Sequence, residues 1–156
     1  MDHALLLDIF KTSLLTRRFE ARIIQMAMAG ELPGALHAGA GQEVGQIAAI
    51  SALNTDDYIL YGHRGVAYMV ARGVSLASIL ADLAGKEGAT SRGKGGVMHV
   101  VDVPNGILGE SGTLGITRPH ISTQIRFRKE EELRRDEAAL RAGGATGPKG
   151  DIKILT

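Results

Sequence analysis

Three histidines, one arginine and an unusual density of glycine carry the chemistry legible in this chain. The densest stretch runs from Ser91 to Gly115, with glycine at 93, 95, 96, 106, 109, 112 and 115. Each glycine permits positive φ or close approach of backbone to another group. Among them sit a cation, Lys94, an imidazole, His99, and a short apolar run, Val97 to Val101. Exposed backbone N–H groups beside a basic residue are what a phosphate needs. Upstream, Tyr61-Gly62-His63-Arg64-Gly65 places a second imidazole next to a guanidinium, and His37 stands alone before Gly41-Gln42-Glu43. Read without context, His63 is a turn histidine, Arg64 a surface cation and the glycine stretch a set of tight turns. One near-motif is set aside. Gly88-Ala-Thr-Ser-Arg-Gly93-Lys94-Gly95 lacks the Ser or Thr of a nucleotide phosphate loop and follows a helical pattern rather than a strand.

The elements that must position these residues follow from periodicity. Residues 3–29 read as a long amphipathic helix. Leu7, Phe10, Leu14, Ala21, Ile24 and Met28 form its expected core face, Asp2 its start and Gly30 its stop. Arg17, Arg18, Glu20 and Arg22 read as a solvated or interface face. A Pro33-Gly34 turn follows. A second helix over roughly 41–53, apolar nearly all round, is expected to be buried. Tyr58-Ile59-Leu60 reads as a short buried strand. Helices over about 65–72 and from Leu76 to Ala84 follow, the latter capped by Ser75 and stopped by Gly85. Helix alternating with strand indicates an α/β layer architecture with one or two strands legible.

After Gly115 the texture changes. Residues 116–127 have no clear period, 128–142 read as a charged helix with i,i+4 pairs, and 143–156 as a flexible tail. Residues 116–156 carry nine Lys and Arg against six acids, whereas the remainder is slightly acidic.

Composition bounds the rest. The chain has 156 residues, enough for one core. With 44% hydrophobic but only 4% aromatic residues, that core must be aliphatic. A formal charge of +1 gives no field that selects nucleic acid or a membrane. The absence of cysteine excludes disulfides and thiolate chemistry and fits a cytoplasmic setting. The N-terminus does not read as a signal peptide, and no apolar run is long enough for a membrane span.

In order, the pieces Arg17-Arg18-Phe19-Glu20, Gly30-Glu31-Leu32-Pro33-Gly34, His37 with Gly41-Gln42-Glu43, Asp56-Asp57-Tyr58, His63-Arg64-Gly65 with Ala71-Arg72-Gly73, Gly93 to His99, and Ser111-Gly112-Thr113-Leu114-Gly115 stand in register with a known family. Residues ~4–115 resemble the N-terminal half of the alpha subunit of the thiamine diphosphate-dependent 2-oxo acid dehydrogenases, the first components of the pyruvate, branched-chain and acetoin dehydrogenase complexes. The resemblance implies the N-terminal part of a thiamine diphosphate-binding parallel-sheet fold, helix-rich and incomplete. It implies a division at residue 115, with 116–156 not matching. It implies that His63 and Arg64 meet the cofactor diphosphate, that Gly112 and Leu114 lie against the aminopyrimidine, and that His37 assists proton transfer or substrate placement near the entrance. His99 is expected to be structural.

Two departures stand out. The position two after the arginine, a histidine in many members, is Val66. The Gly-Asp-Gly and later Asn that hold Mg²⁺ in the family are absent. The one Gly-Asp is Gly150-Asp151, with no Asn after it, so no metal ligand is assigned. The expected function is that of a truncated or split alpha subunit. It would act in oxidative decarboxylation of a 2-oxo acid or cleavage of acetoin, with transfer to lipoamide. Implied partners are a beta subunit, a second alpha subunit in an alpha2beta2 assembly and a lipoyl-bearing acyltransferase. The alternative is a non-catalytic assembly or binding module derived from that subunit, and a weaker third reading is an anion-binding protein using Lys94 and its glycines.

Overall fold

The computed structural model describes residues 2–34, 36–111 and 152–155. The expectations for Gly112, Leu114, the charged helix and the boundary at residue 115 concern residues outside these, or reach into them.

Helix α1 spans His3–Met28. Asp2 caps it, its side chain accepting from the Ala4 N–H at 2.9 Å. The helix ends as expected: Gly30 takes φ +75°, and the Glu31 N–H closes back on the Met26 carbonyl at 2.9 Å. Helices α2 (Glu43–Ser51), α3 (Val66–Ala71) and α4 (Leu76–Leu83) follow. Ser75 caps α4 by accepting from the Ser78 N–H at 3.1 Å.

Three strands form one sheet in the order β2-β1-β3, with β1 at Tyr58–Gly62, β2 at Ile107–Ser111 and β3 at Ile152–Leu155. Both pairings are parallel. The β1–β2 register slips between Ile59 and Leu60, so that Ile59 faces Ile107 but Leu60 faces Gly109. A central parallel strand is covered on both faces, and Ile59, Leu60 and Tyr61 are all buried. Around them pack Ile23, Val66, Met69, Ile79, Val100 and Ile107, the aliphatic core that the composition required.

Four expectations change. The core face of α1 is not the Leu7/Phe10/Leu14 stripe. Phe10 is 62% and Leu7 51% exposed, and Met28 is exposed too. The buried residues of α1 are Ser13, Thr16, Glu20 and Ile23. Thr16 satisfies its hydroxyl on the Thr12 carbonyl at 2.8 Å, so a polar residue can face inward at little cost. Helix α2 is likewise one-sided: Glu43, Gln46, Ile47 and Ile50 are buried while Val44 is exposed. Its apolar outer face reflects small alanines and an exposed valine, not burial all round. A strand, β2, lies within the glycine-rich stretch, where Gly106 allows close packing: a Cβ there would come 2.8 Å from the Asp57 carbonyl oxygen. Finally, residues 152–155, within the expected flexible tail, are a strand beside β1.

Candidate functional site

The site begins where β1 ends. In a parallel sheet the strands' carboxyl ends leave a crevice that the following loops line. Here the residues after Gly62 are His63, Arg64 and Gly65, the last opening α3. Gly65 is dictated by packing, since a Cβ would run into the Tyr61 ring below it. Arg64 holds φ +71°, in the left-handed region. For a residue with a Cβ this costs roughly 1–2 kcal/mol, and such residues persist only where their surroundings over-determine them.

The surroundings do so. The Arg64 carbonyl accepts from the Gln46 side-chain amide at 3.2 Å, and the Arg64 guanidinium donates to the Ala38 carbonyl at 2.7 Å. The segment 36–39 thus lies across Arg64, and it brings His37 with it. The His37 and His63 rings meet edge to face, centroids 5.6 Å apart. On its other side His37 Nδ1 lies 3.0 Å from the Met98 sulfur. His63 Nδ1 is buried and has no hydrogen-bond partner among the described residues. Arg64 itself is exposed. The structure therefore gathers His37, His63 and Arg64 from positions up to 27 apart, all on one side of the end of β1. An exposed guanidinium beside two imidazoles can hold an anion and exchange a proton beside it.

Two carboxylates that the sequence did not single out support this corner. Glu43 is paired through both oxygens with the Arg17 guanidinium, with Oε2 accepting at 2.8 Å, and it also takes the Gly41 N–H at 2.9 Å. The Arg17 hydrogen bonds hold its carboxyl down, at about 2. Arg17 is thus a staple between α1 and α2, not a free solvated cation. Glu20, buried, accepts from the Gly39 N–H at 2.8 Å, and desolvation pushes its carboxyl up.

A third acid, Glu110, sits one residue from the end of β2, in register with Tyr61. Burial pushes its carboxyl up to about 8. Its Oε2 and the fully buried Tyr61 hydroxyl have no hydrogen-bond partner among the described residues. Burial, then the charges of Glu110 and Asp82, raise the Tyr61 hydroxyl well above its usual range. Nothing in the local sequence of Glu110 marks it. Its position only acquires meaning once β2 is known to pair with β1.

The loop holding Lys94 serves another purpose. Asp82, at the end of α4, accepts from Thr90 N–H (3.0 Å), Thr90 Oγ1 (2.6 Å) and Ser91 N–H (3.2 Å), and also from Ser91 Oγ. Ser91 in turn takes up the Gly95 N–H through Oγ and the Lys94 N–H through its carbonyl. These donors are spent inside the loop, which argues against the anion-binding reading built on Lys94. His99 is exposed at the end of a 3₁₀ turn over Gly96–His99. Gly112 and Leu114 lie outside the described residues.

Comparison with known proteins bears on this arrangement. The family described as dehydrogenase E1 component matches residues 11–151. The chain is 34% identical over 136 residues to the alpha subunit of acetoin:2,6-dichlorophenolindophenol oxidoreductase from Cupriavidus necator, covering 85% of this chain and 41% of that one. It is 35% identical over 99 residues to the protein of the same description from Bacillus subtilis, covering 64% and 30%. To the alpha subunit of the pyruvate dehydrogenase E1 component of Rickettsia felis it is 38% identical over 122 residues, covering 76% and 36%. The chain thus spans about two fifths or less of the length of these relatives.

Proposed function

The chain belongs to the dehydrogenase E1 component family, and from that premise we propose that it is part of the alpha subunit of a thiamine diphosphate-dependent 2-oxo acid or acetoin dehydrogenase. The observation that carries the proposal is Arg64. It is an exposed guanidinium held in a left-handed conformation at the carboxyl end of a central parallel strand, beside His37 and His63. A planar fork of donors there suits diphosphate oxygens. The unpartnered His63 Nδ1 adds a further polar atom for the same group.

In this reading Arg64 and His63 bind the diphosphate. Gly112 and Leu114 hold the aminopyrimidine through backbone and bulk. When bound, thiamine diphosphate supplies the nucleophile and electron sink for breaking the bond next to the substrate oxo group. His37, fixed between the His63 ring and the Met98 sulfur, is placed to carry a proton at its Nε2 or to orient substrate at the entrance. The product acyl group would pass to a lipoyl-bearing acyltransferase. A beta subunit and a second alpha subunit are the expected partners, and the exposed apolar stripe of α1 is consistent with burial against one of them.

The deciding experiment is calorimetric titration with thiamine diphosphate and Mg²⁺, with and without a beta subunit of an acetoin or pyruvate dehydrogenase. Binding that requires the beta subunit and is lost in Arg64→Ala is the expected result. Cofactor affinity indifferent to Arg64 would remove the assignment.

A further inference from the structure

Arg64 is the exposed end of a chain of contacts that starts on two helices. Helix α1 contributes Glu20, 1% exposed, whose Oε1 accepts from the Gly39 N–H at 2.8 Å. Helix α2 contributes Gln46, 8% exposed, whose Nε2 donates to the Arg64 carbonyl at 3.2 Å. Between them, Gly39 lies against that same carbonyl: a Cβ at 39 would come 2.6 Å from the Arg64 oxygen and 3.5 Å from Glu20 Oε1. The loop then returns to Arg64 from the other end, since the Ala38 carbonyl accepts from the guanidinium at 2.7 Å. Arg64 is thus gripped at its carbonyl and at its side chain by one loop, and that loop is anchored in the core by Glu20.

The choice of residues in this network is not explained by stability. Glu20 Oε2 and Gln46 Oε1 are buried and have no hydrogen-bond partner among the described residues. Two half-satisfied polar side chains in a core are costly, and apolar residues of similar volume would serve packing better. Arg64 meanwhile occupies a backbone region that glycine would occupy without strain. Costs that converge on one residue are most simply accounted for by the orientation they enforce.

We infer that Glu20 and Gln46 are positioning residues: they act through Gly39 and the Arg64 carbonyl to fix the left-handed backbone that presents the Arg64 guanidinium to an anion. The inference rests on the reading of Arg64 as a diphosphate contact, but its backbone half can be tested without that reading. Glu20 and Gln46 touch no ligand in this account, and the charge of Glu20 is not what matters. What matters is an acceptor for Gly39 and a donor for Arg64.

The test uses the full chain labelled with ¹³C,¹⁵N-arginine, with inorganic pyrophosphate as the probe. Two quantities are read: the Arg64 Cα and carbonyl chemical shifts without ligand, which report φ, and the pyrophosphate dissociation constant. In Gln46→Met, which keeps the length and loses the donor, the Arg64 shifts should leave left-handed values and affinity should fall about tenfold. Glu20→Ala should do the same. Glu20→Gln, whose amide oxygen still accepts from Gly39, should keep the parent shifts and an affinity within about twofold. Gly39→Ala displaces the Arg64 carbonyl with both helices intact, and it keeps the test open where a helix variant fails to fold. Arg64 shifts that stay unchanged in Gln46→Met, Glu20→Ala and Gly39→Ala would overturn the inference. A parent chain that ignores pyrophosphate while the variants move the Arg64 shifts would overturn the diphosphate reading and leave the positioning role standing.

Discussion

At the scale of single residues, Arg64 carries the most consequence, because its charge and its backbone serve one end. A bidentate guanidinium–diphosphate contact is a charge-assisted pair whose loss costs on the order of 1.5–3 kcal/mol. In the chain supplemented with a beta subunit, Arg64→Ala should weaken thiamine diphosphate by roughly one to two orders of magnitude. Arg64→Lys should recover only part, since an ammonium cannot reproduce the fork. His99→Ala should leave the affinity near that of the parent. Dissociation constants of the three variants at one salt concentration check this, and parent-like binding by Arg64→Ala would sink the site. Glu110 gives a prediction of a different kind. Its unfolded value is near 4.5 and its folded value about 8. Between these the folded chain holds a proton that the unfolded chain has released, so stability contributed below pH 4.5 is lost as pH rises towards 8. Partial exposure of the residue tempers the effect. Glu110→Gln should therefore gain on the parent by on the order of 2 kcal/mol from pH 5 to pH 8. Urea midpoints across that range measure it, and parallel pH profiles would show that Glu110 ionises freely.

At the scale of elements, α1 and α2 are held together by charge as much as by packing. Arg17 and Glu43 form the bidentate pair, and the depressed value of Glu43 makes its contribution present above pH 4.5 and lost as pH falls towards 2. Glu43→Gln should flatten the acid limb of the stability profile between those limits. An acid limb unchanged from the parent would mean the pair is too well solvated to matter. The outer side of α1 is a second matter. Leu7, Phe10, Leu14, Ala21, Ile24 and Met28 recur at the three- and four-residue steps of a helix–helix seam, and four of them are the exposed apolar residues Leu7, Phe10, Leu14 and Met28. Such a stripe is stable in water chiefly when covered. Phe10→Ser with Leu14→Ser should reduce self-association in sedimentation without lowering the unfolding midpoint of the dissociated chain. A large drop in that midpoint would instead place the stripe in the core.

At the scale of the whole molecule, three parallel strands and four helices make a small sheet for a fold that needs both faces and both edges covered. The isolated chain should be oligomeric or prone to aggregate, with an unfolding midpoint that rises with concentration. A monomer with a sharp, concentration-independent melt would contradict this. The chain alone should also lack tight cofactor binding. The diphosphate charges would meet Arg64, His63 and backbone donors without the metal ligands the family carries, a loss of several kcal/mol. Micromolar, Mg²⁺-dependent affinity in the isolated chain would overturn that and point to a metal site in residues outside those described.

The sequence by itself determined the parts whose physics is local. Asp2, Gly30, Ser75 and Gly85 mark helix ends because caps and left-handed stops act within a turn or two. The family was legible for a related reason, since seven short pieces in fixed order need no tertiary structure to be matched. Tertiary structure decided which side of α1 faces inward. That helix carries two stripes at helical spacing, and periodicity favours the more apolar one. The core uses Ser13, Thr16, Glu20 and Ile23 instead, because the neighbouring loop offers the Gly39 N–H and α2 offers Glu43, groups that polar residues on α1 can satisfy. Strand β2 was hidden by its glycines, and β3 by its length of four residues in a polar surround. Their pairing with β1 is a contact across 49 and 94 residues, taking Tyr58 as the start of β1. Glu110 becomes a perturbed acid only through that pairing. His37, His63 and Arg64 were named from the sequence, but what holds them together, a buried glutamate, a buried glutamine and one glycine without room for a Cβ, is set by distances that no local pattern encodes.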